Sequence, residues 1–557
     1  MIRSSRIGLA HLSLFLFALA LVGKAAKVQL VDGGTWSRRA ARQQLAERTL
    51  PAPRGEIQDA AGQVLAQTRE VVRLEVAPRE VRDMRRFRRA LDAARIEPRW
   101  IARATDTARA WVTIPGTFLA AEVAPLLQMR GVHWTPMMER VYPVSEGTRR
   151  IVGRVDAQGS ALDGIELALD SLLRGRAGTE ALVRDARGRA FESPQADSVA
   201  PTPGYTVRLT VNHELQEIAD RALADAVAKM GAEGGDVVIL DPHSGEIRAM
   251  ASRRLDPRST AATALTEPFE PGSTLKPFTA AGLLALGRVR DDETVDVHGG
   301  QFTVNGRTIT DVHRSATPLT LHDVLRWSSN VGIVRFAERL QPREQYEILR
   351  DFGFGMPTGL PYPTEAGGRL REPRQWSKQS AASLAMGYEI AVTPLQLALG
   401  YAVFANGGEL LEPAIVQEVR APDGTVVYRH QPRVVRRVVP APVAERVRRM
   451  LADVVTEGTA LQADLTTFML AGKTGTARRT VNGRYVAGQY YATFVGLFPA
   501  EDPQFVILVK LDSPSGSYYG GTTAAPVTRA VLEAALAARD AALDRGALST
   551  QRQVRAP

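Results

Sequence analysis

Cysteine is absent from this 557-residue chain. That excludes thiol nucleophiles, Cys-ligated zinc and disulfides, and leaves the redox compartment open. Lysine is almost absent as well: of 70 basic residues only seven are lysines, at 24, 27, 229, 276, 378, 473 and 510. The eight histidines are scattered, with no H-E-x-x-H or other ligand spacing, so neither a metal nor another cofactor is expected. No RNP run, zinc-finger spacing or basic helix accompanies the net charge of +10, and the arginines are dispersed. Nucleic acid is therefore not an expected partner. A Gly-x-Ser-x-Gly elbow is missing. Gly472-Lys473-Thr474 has the ending of a phosphate-binding loop, but Thr467 stands where its first glycine belongs. Gly353, Gly355 and Gly359 miss the dinucleotide spacing by one residue, with Pro357 between them.

What is present is a globular composition, 45% hydrophobic, long enough for several domains. Residues 7–23 carry no Lys, Arg, Asp or Glu and come after Arg3 and Arg6. The stretch reads as a signal peptide or a short transmembrane anchor, its length favouring the anchor, and either reading exports the rest of the chain. The expected organisation is a tail and anchor over 1–24, a polar, basic juxtamembrane helix or linker over 25–50, a first domain over 51–204, a second domain over 205–543, and a disordered tail over 544–557. The Pro-rich run 193–204 marks the linker between the two domains. In the first domain, alternation predicts strands at 71–76 and 111–114, with helices near 80–95 and 118–128. In the second domain a helix over 215–230 precedes a hairpin at 235–240 and 246–252. A mostly helical middle comes next, then strands at 468–477, 490–498 and 504–512 and a closing helix over 522–543. Two strands, a helical insertion, three strands and a helix point to an α+β fold, a five-stranded antiparallel sheet covered by helices.

The lysine scarcity sharpens three short runs. Ser273 is followed by Lys276, Ser328 by Asn330, and Lys473 by Thr474, Gly475 and Thr476; the runs start 55 and then 145 residues apart. Pro271-Gly272 breaks the chain before Ser273, so the serine sits at a helix start and Lys276, at i+3, shares its face. A serine at a helix start is most often a plain cap, and Ser-Ser-Asn is most often a turn. A serine hydroxyl also becomes a nucleophile when a desolvated amine beside a second cation takes its proton, which arginine cannot do. Lys276 is the candidate base, Lys473 the second cation, Ser328 a proton relay and Asn330 a donor to a substrate carbonyl. The Thr474–Thr476 run lies on a strand whose glycines admit a ligand to the backbone. Its hydroxyls and the Lys473 amine suit a terminal carboxylate, and the N–H groups of Thr476 and Ser273 suit an oxyanion.

This set of motifs resembles the S-x-x-K, S-x-N and K-T-G runs of the penicillin-recognising serine acyl enzymes. The wider pattern resembles the class B penicillin-binding proteins from residue 1 to about residue 540. It includes Arg54-Gly55, Ile57, Asp59 and Gly62; Tyr142-Pro143; Gly164-Ile165-Glu166; Gly387-Tyr388; Thr393-Pro394; Asn406-Gly407-Gly408; and Tyr519-Gly520-Gly521. Ala60-Ala61 departs from the polar pair usual there. The resemblance implies the penicilloyl-serine transferase fold with an all-α subdomain, an N-terminal β-rich pedestal and one transmembrane helix. It implies a single-pass inner-membrane D,D-transpeptidase with its catalytic domain outside. Ser273 would attack D-Ala–D-Ala donor stem peptides of peptidoglycan, and β-lactams would acylate the same serine. Tyr518 and Tyr519 would wall the cleft or pack in the core. The short N-terminal tail and the Lys473–Arg478 run are most similar to the division-specific, FtsI-type branch, which implies a SEDS-family glycosyltransferase and other division proteins as partners. An elongation-type transpeptidase, a β-lactamase, a D,D-carboxypeptidase and a penicillin-binding sensor are the alternatives.

Overall fold

The structure is a computed structural model that describes residues 3–34, 45–184, 190–192, 198–256, 261–481 and 484–550. The chain forms two compact units, one of residues 1–54 and 174–204, the other of residues 55–173 and 205–557.

In the first unit the helix Arg3–Ala26 carries the apolar stretch and keeps its charges near its ends. With 24 residues it is roughly 36 Å long at ~1.5 Å per residue, enough for a ~30 Å hydrocarbon core. The same unit holds a three-stranded antiparallel sheet, Leu45–Leu50 beside Gly178–Arg184 beside Ala190–Glu192. Leu45–Leu50 is thus a strand where sequence reading puts a helix or linker, because its backbone groups find partners more than 120 residues away, from Leu45 opposite Val183 to Leu50 opposite Gly178. Residues 35–44 of the juxtamembrane segment and 193–197 of the linker lie outside the described residues.

The second unit contains two hydrophobic cores. The smaller one lies under the long strand Val64–Val76 and joins Leu74 and Val76 to Phe87, Leu91 and Ile101. Its helices are Met84–Ala93, capped by Asp83, and Pro98–Ala104. The single helix expected near 80–95 ends at Ala93, since Arg95 turns to φ 56° and Pro98 opens a new helix in the first-turn position that tolerates it. Of the helix expected over 118–128, only Ala124–Leu127 is α-helical.

Strand Val64–Val76 belongs to a seven-stranded sheet that also takes in Ile57–Gln58, Thr206–Leu209, Val416–Arg420 and Val426–Arg429. The sheet therefore draws strands from both sides of residue 204. Asp59 shows why the Ile57-x-Asp59 run matters. Its buried carboxylate accepts the N–H groups of Ala61 (2.9 Å) and Gln63 (2.7 Å) and, across the fold, that of His213 (3.1 Å) at the start of the helix His213–Lys229. Arg140 and Glu166 form a buried pair at 2.8 Å, and Arg140 also donates to the Gly55 carbonyl at 2.7 Å.

The larger core surrounds a five-stranded antiparallel sheet in the order Ile247–Arg254, Gly234–Leu240, Phe505–Asp512, Arg484–Phe498, Ala471–Val481. Its central strands Gly234–Leu240 and Phe505–Asp512 are buried at every residue, which explains their short continuous apolar runs. Helices His213–Lys229 and Ala524–Ala537 pack against the sheet. The fully buried Pro394–Ala405, opened by a Thr393/Gln396 capping box, packs against it too. The last two strands are longer than the sequence predicts and form one extended hairpin. The closing helix stops at Ala537, short of 543. Arg545 Nη1 donates to the Leu536 carbonyl at 3.0 Å, and Asn212 Nδ2 pulls the Asp540 carbonyl across at 2.7 Å. Arg545–Thr550 is helical, within the segment assigned to a tail; 551–557 lie outside the described residues.

Candidate active site

Ser273 sits in a single 3-10 turn, Gly272–Leu275, that runs directly into the helix Lys276–Ala285. The turn is fixed from several sides. The Lys276 N–H donates to the Ser273 carbonyl, and Thr274 Oγ1 donates to the Pro271 carbonyl at 2.7 Å. Tyr401 Oη donates to the Thr274 carbonyl at 2.7 Å, and the Gly272 N–H to the Gly387 carbonyl at 3.0 Å. The edge strand Ala471–Val481 lies against this turn. A Cβ on Gly475 would stand 2.8 Å from both the Pro271 oxygen and Thr274 Cγ2, so only glycine fits there.

The two lysines point inward and are fully buried. Lys276 Nζ donates to the Ser328 carbonyl (2.6 Å), to Asn330 Oδ1 (2.8 Å) and, more weakly, to Ser328 Oγ (3.3 Å). Lys473 Nζ reaches the same Ser328 hydroxyl at 2.9 Å. Burial pushes the Lys276 amine down to about 7, against the upward pull of the Asp311 carboxylate. Burial, reinforced by the charge of Lys276, holds Lys473 well below the ordinary lysine range. Two ammonium ions side by side without water are unfavourable, so near neutrality the pair does not carry both protons.

Ser328 to Asn330 bridges two short helices, Leu321–Arg326 and Asn330–Ala337. The capping role belongs to Ser329, whose Oγ accepts the Gly332 N–H at 2.8 Å. Ser328 instead adopts φ 57°, a left-handed conformation that costs a non-glycine residue about 1 kcal/mol and turns its hydroxyl toward the lysines. The loop is held by Asp311, a buried residue that sequence reading does not single out. Its Oδ2 accepts the Ser329 hydroxyl at 2.6 Å, and its Oδ1 accepts the N–H groups of Asn330 (2.5 Å) and Val331 (2.9 Å). Asn330 Nδ2 donates to the Thr310 carbonyl at 3.0 Å.

Along the edge strand, Thr474 Oγ1 shares a hydrogen bond with Thr459 Oγ1 at 2.8 Å, and Thr476 Oγ1 accepts the Gly520 N–H at 3.3 Å. Tyr518 and Tyr519, immediately before Gly520, are not core residues. Tyr518 stacks on Tyr490 at 4.2 Å, and Tyr519 lies against Tyr518 at 4.6 Å with 42% of its surface exposed. Glu270, three residues before Ser273, is buried and carries a carboxyl raised by that burial. Its Oε1 accepts the Glu389 N–H at 2.9 Å and the Tyr485 hydroxyl at 3.4 Å.

The structure thus brings two buried amines onto one shared hydroxyl, with Lys276 directly after the turn that carries Ser273 and Lys473 on the edge strand of an antiparallel sheet. Comparison with known proteins identifies the family. The family described as penicillin binding protein transpeptidase domain matches residues 235–533, and the penicillin-binding protein dimerisation domain matches residues 49–209. A probable peptidoglycan D,D-transpeptidase, PbpC of Pseudomonas aeruginosa, is 32% identical over 543 residues, 94% of each chain. The peptidoglycan D,D-transpeptidase FtsI of Escherichia coli is 30% identical over 548 residues, 93% of this chain and 89% of that one. Among solved structures, penicillin-binding protein 3 of Mycobacterium tuberculosis in complex with aztreonam superposes with a TM-score of 0.67 at 28% identity, over 87% of this chain and 96% of that one. The chain belongs to the penicillin-binding protein transpeptidases of class B, in which a dimerisation domain precedes the transpeptidase domain.

Proposed function

We propose that the chain is a peptidoglycan D,D-transpeptidase that cross-links stem peptides during septal cell-wall synthesis through an acyl-enzyme on Ser273. The observation that carries the reading is the pair of buried lysines meeting at Ser328 Oγ beside the turn that presents Ser273.

In the acylation step the Ser273 hydroxyl gives its proton to the neutral Lys276 amine as its oxygen attacks the carbonyl between two D-alanines. The N–H groups of Ser273 and Thr476 face the developing oxyanion. The C–N bond to the terminal D-alanine breaks, and its nitrogen takes a proton relayed by Ser328 from the lysine pair. An amine of a neighbouring stem peptide then attacks the ester, forming the new amide and returning the proton to Ser273. Ala471–Val481 is the last strand of its sheet, which suits a peptide that adds as a further strand. Lys473, Thr474 and Thr476 receive the terminal carboxylate, Asn330 the substrate amide, and Tyr518 with Tyr519 walls the far end. A β-lactam enters by the same route and stops at the ester.

The septal assignment rests on the relative named FtsI. The apolar helix Arg3–Ala26 serves as the anchor in the inner membrane, with the catalytic domain on the outer side. A SEDS-family glycosyltransferase and other division proteins are the expected partners. The test is to supply a pentapeptide donor and an amine acceptor to the detergent-solubilised chain. A new amide product supports transpeptidation, whereas release of D-alanine with hydrolysis alone makes the chain a carboxypeptidase. A fluorescent fusion at midcell supports the septal role, and one spread along the side wall makes the enzyme elongation-type.

A further inference from the structure

Asp311 touches neither lysine, yet it is the residue on which their shared partner depends. It comes directly after the strand Arg307–Thr310 and is buried. One carboxylate takes three hydrogen bonds from three consecutive residues, the Ser329 hydroxyl and the N–H groups of Asn330 and Val331. Two of those donors are the first free N–H groups of the helix Asn330–Ala337, where a negative charge is favoured. The geometry leaves Ser328 at φ 57° with its carbonyl and hydroxyl on Lys276, and leaves Asn330 Oδ1 on the same amine.

We propose that Asp311 is a positioning residue of the acylation step. It clamps the Ser328–Asn330 loop against both amines and places a carboxylate behind the loop that Lys276 contacts. The inference rests on the transpeptidase reading above and adds to it the residue that sets the proton affinity of the base.

The charged groups that face the Lys276 amine are Lys473, from the edge strand, and Asp311, from the loop after Arg307–Thr310. Burial disfavours the protonated amine, and the Asp311 charge favours it. Removing the Asp311 charge therefore moves deprotonation of Lys276 to lower pH. A purely structural carboxylate would lower the rate without moving the pH at which it rises.

The experiment measures the second-order rate of acylation by a fluorescent penicillin between pH 5 and 9, for the full chain and for Asp311→Asn and Asp311→Glu. The carboxamide still accepts from the loop but carries no charge. It is expected to lower the plateau rate by at least about tenfold and to displace the acid limb by about one pH unit toward acid. Asp311→Glu, which keeps the charge, is expected to lower the plateau with the limb in place. Should the asparagine variant not fold, Asp311→Ser takes its place with the same expected displacement. A wild-type chain that labels, with neutral variants whose limb overlays it, overturns the role of Asp311 alone. A wild-type chain that does not label overturns the transpeptidase reading itself.

Discussion

Lys276 and Lys473 meet at a single oxygen: Ser328 Oγ lies 3.3 Å from the first amine and 2.9 Å from the second. One hydroxyl cannot give its proton to both, and two buried ammonium ions cannot stand together at low cost. The trio therefore acts as one proton store. Replacing Lys276 with arginine puts a permanent charge there and removes the proposed base. Acylation should fall roughly 10²–10⁴-fold, read as the rate of ester formation by intact mass. Lys473→Arg, which puts a permanent charge where burial holds the amine low, should slow acylation by a smaller factor, because Lys276 remains.

The Lys276 amine, pushed down to about 7 by burial, sets the pH response. Acylation needs the free amine, so the rate should rise with pH through a midpoint near 7. Stability depends on the same group. Between that value and the ordinary lysine value near 10.5 the unfolded chain binds the proton and the folded chain does not, so stability should rise with pH across this window. Thermal melts of Lys276→Met should lose that part of the pH dependence. If wild type and variant keep parallel curves from pH 6 to 10, the amine does not titrate in this way.

Gly475 fixes the approach of the edge strand to the turn that carries Ser273. An added methyl would meet the Pro271 oxygen at 2.8 Å, and backbone cannot swing aside as a long side chain can. Gly475→Ala should cost about 1–3 kcal/mol and lower acylation by more than tenfold, because the turn that must yield carries Ser273. A variant with wild-type melting and wild-type acylation would show that the turn accommodates the methyl freely.

Much of this site is legible in the chain before any coordinates. Lysine is so rare that its presence at 276 and 473 marks both amines, and a proline-glycine break announces the turn at Ser273. Asp311 is not legible. An aspartate after a short polar strand carries no periodic or spacing signal, and its partners become neighbours only when the loop folds back over it. The five-stranded sheet can be read from apolar runs, whereas the seven-stranded sheet cannot. Its seam is the two-residue strand Ile57–Gln58, parallel to Thr206–Leu209, too short to show alternation. The early stop at Ala537 escapes for a similar reason, since Arg545 and Asn212 impose it from outside the helix.

A buried ion network supports the central strands and gives a stability test away from the chemistry. Lys510 Nζ joins Asp236 at 2.9 Å and Asp512 at 2.7 Å, and Arg254 approaches both carboxylates. Burial pushes the Asp236 carboxyl up, but Lys510 and Arg254 outweigh it and hold the group at about 2. The stabilisation is present above the ordinary aspartate value and is lost as pH falls toward 2. Asp236→Ala leaves the Lys510 cation short of a partner and should cost about 3–5 kcal/mol in denaturant melts. Replacing Asp236, Lys510 and Asp512 together by apolar residues of similar volume should cost less than the single change.

The absence of cysteine makes orientation directly measurable. Val427→Cys, at a position 52% exposed, creates the sole thiol of the chain. A membrane-impermeant maleimide should label it from outside the inner membrane in spheroplasts. Labelling only after lysis would reverse the proposed orientation.

The central claim is that Ser273 becomes an ester under the control of two buried lysines. The direct measurement is intact mass of the detergent-solubilised chain after exposure to a fluorescent penicillin, with the adduct mapped by peptide and compared with Ser273→Ala. The expected result is one long-lived adduct on the peptide that holds Ser273, absent from the variant. An adduct elsewhere, or none on a folded wild-type chain, would contradict it.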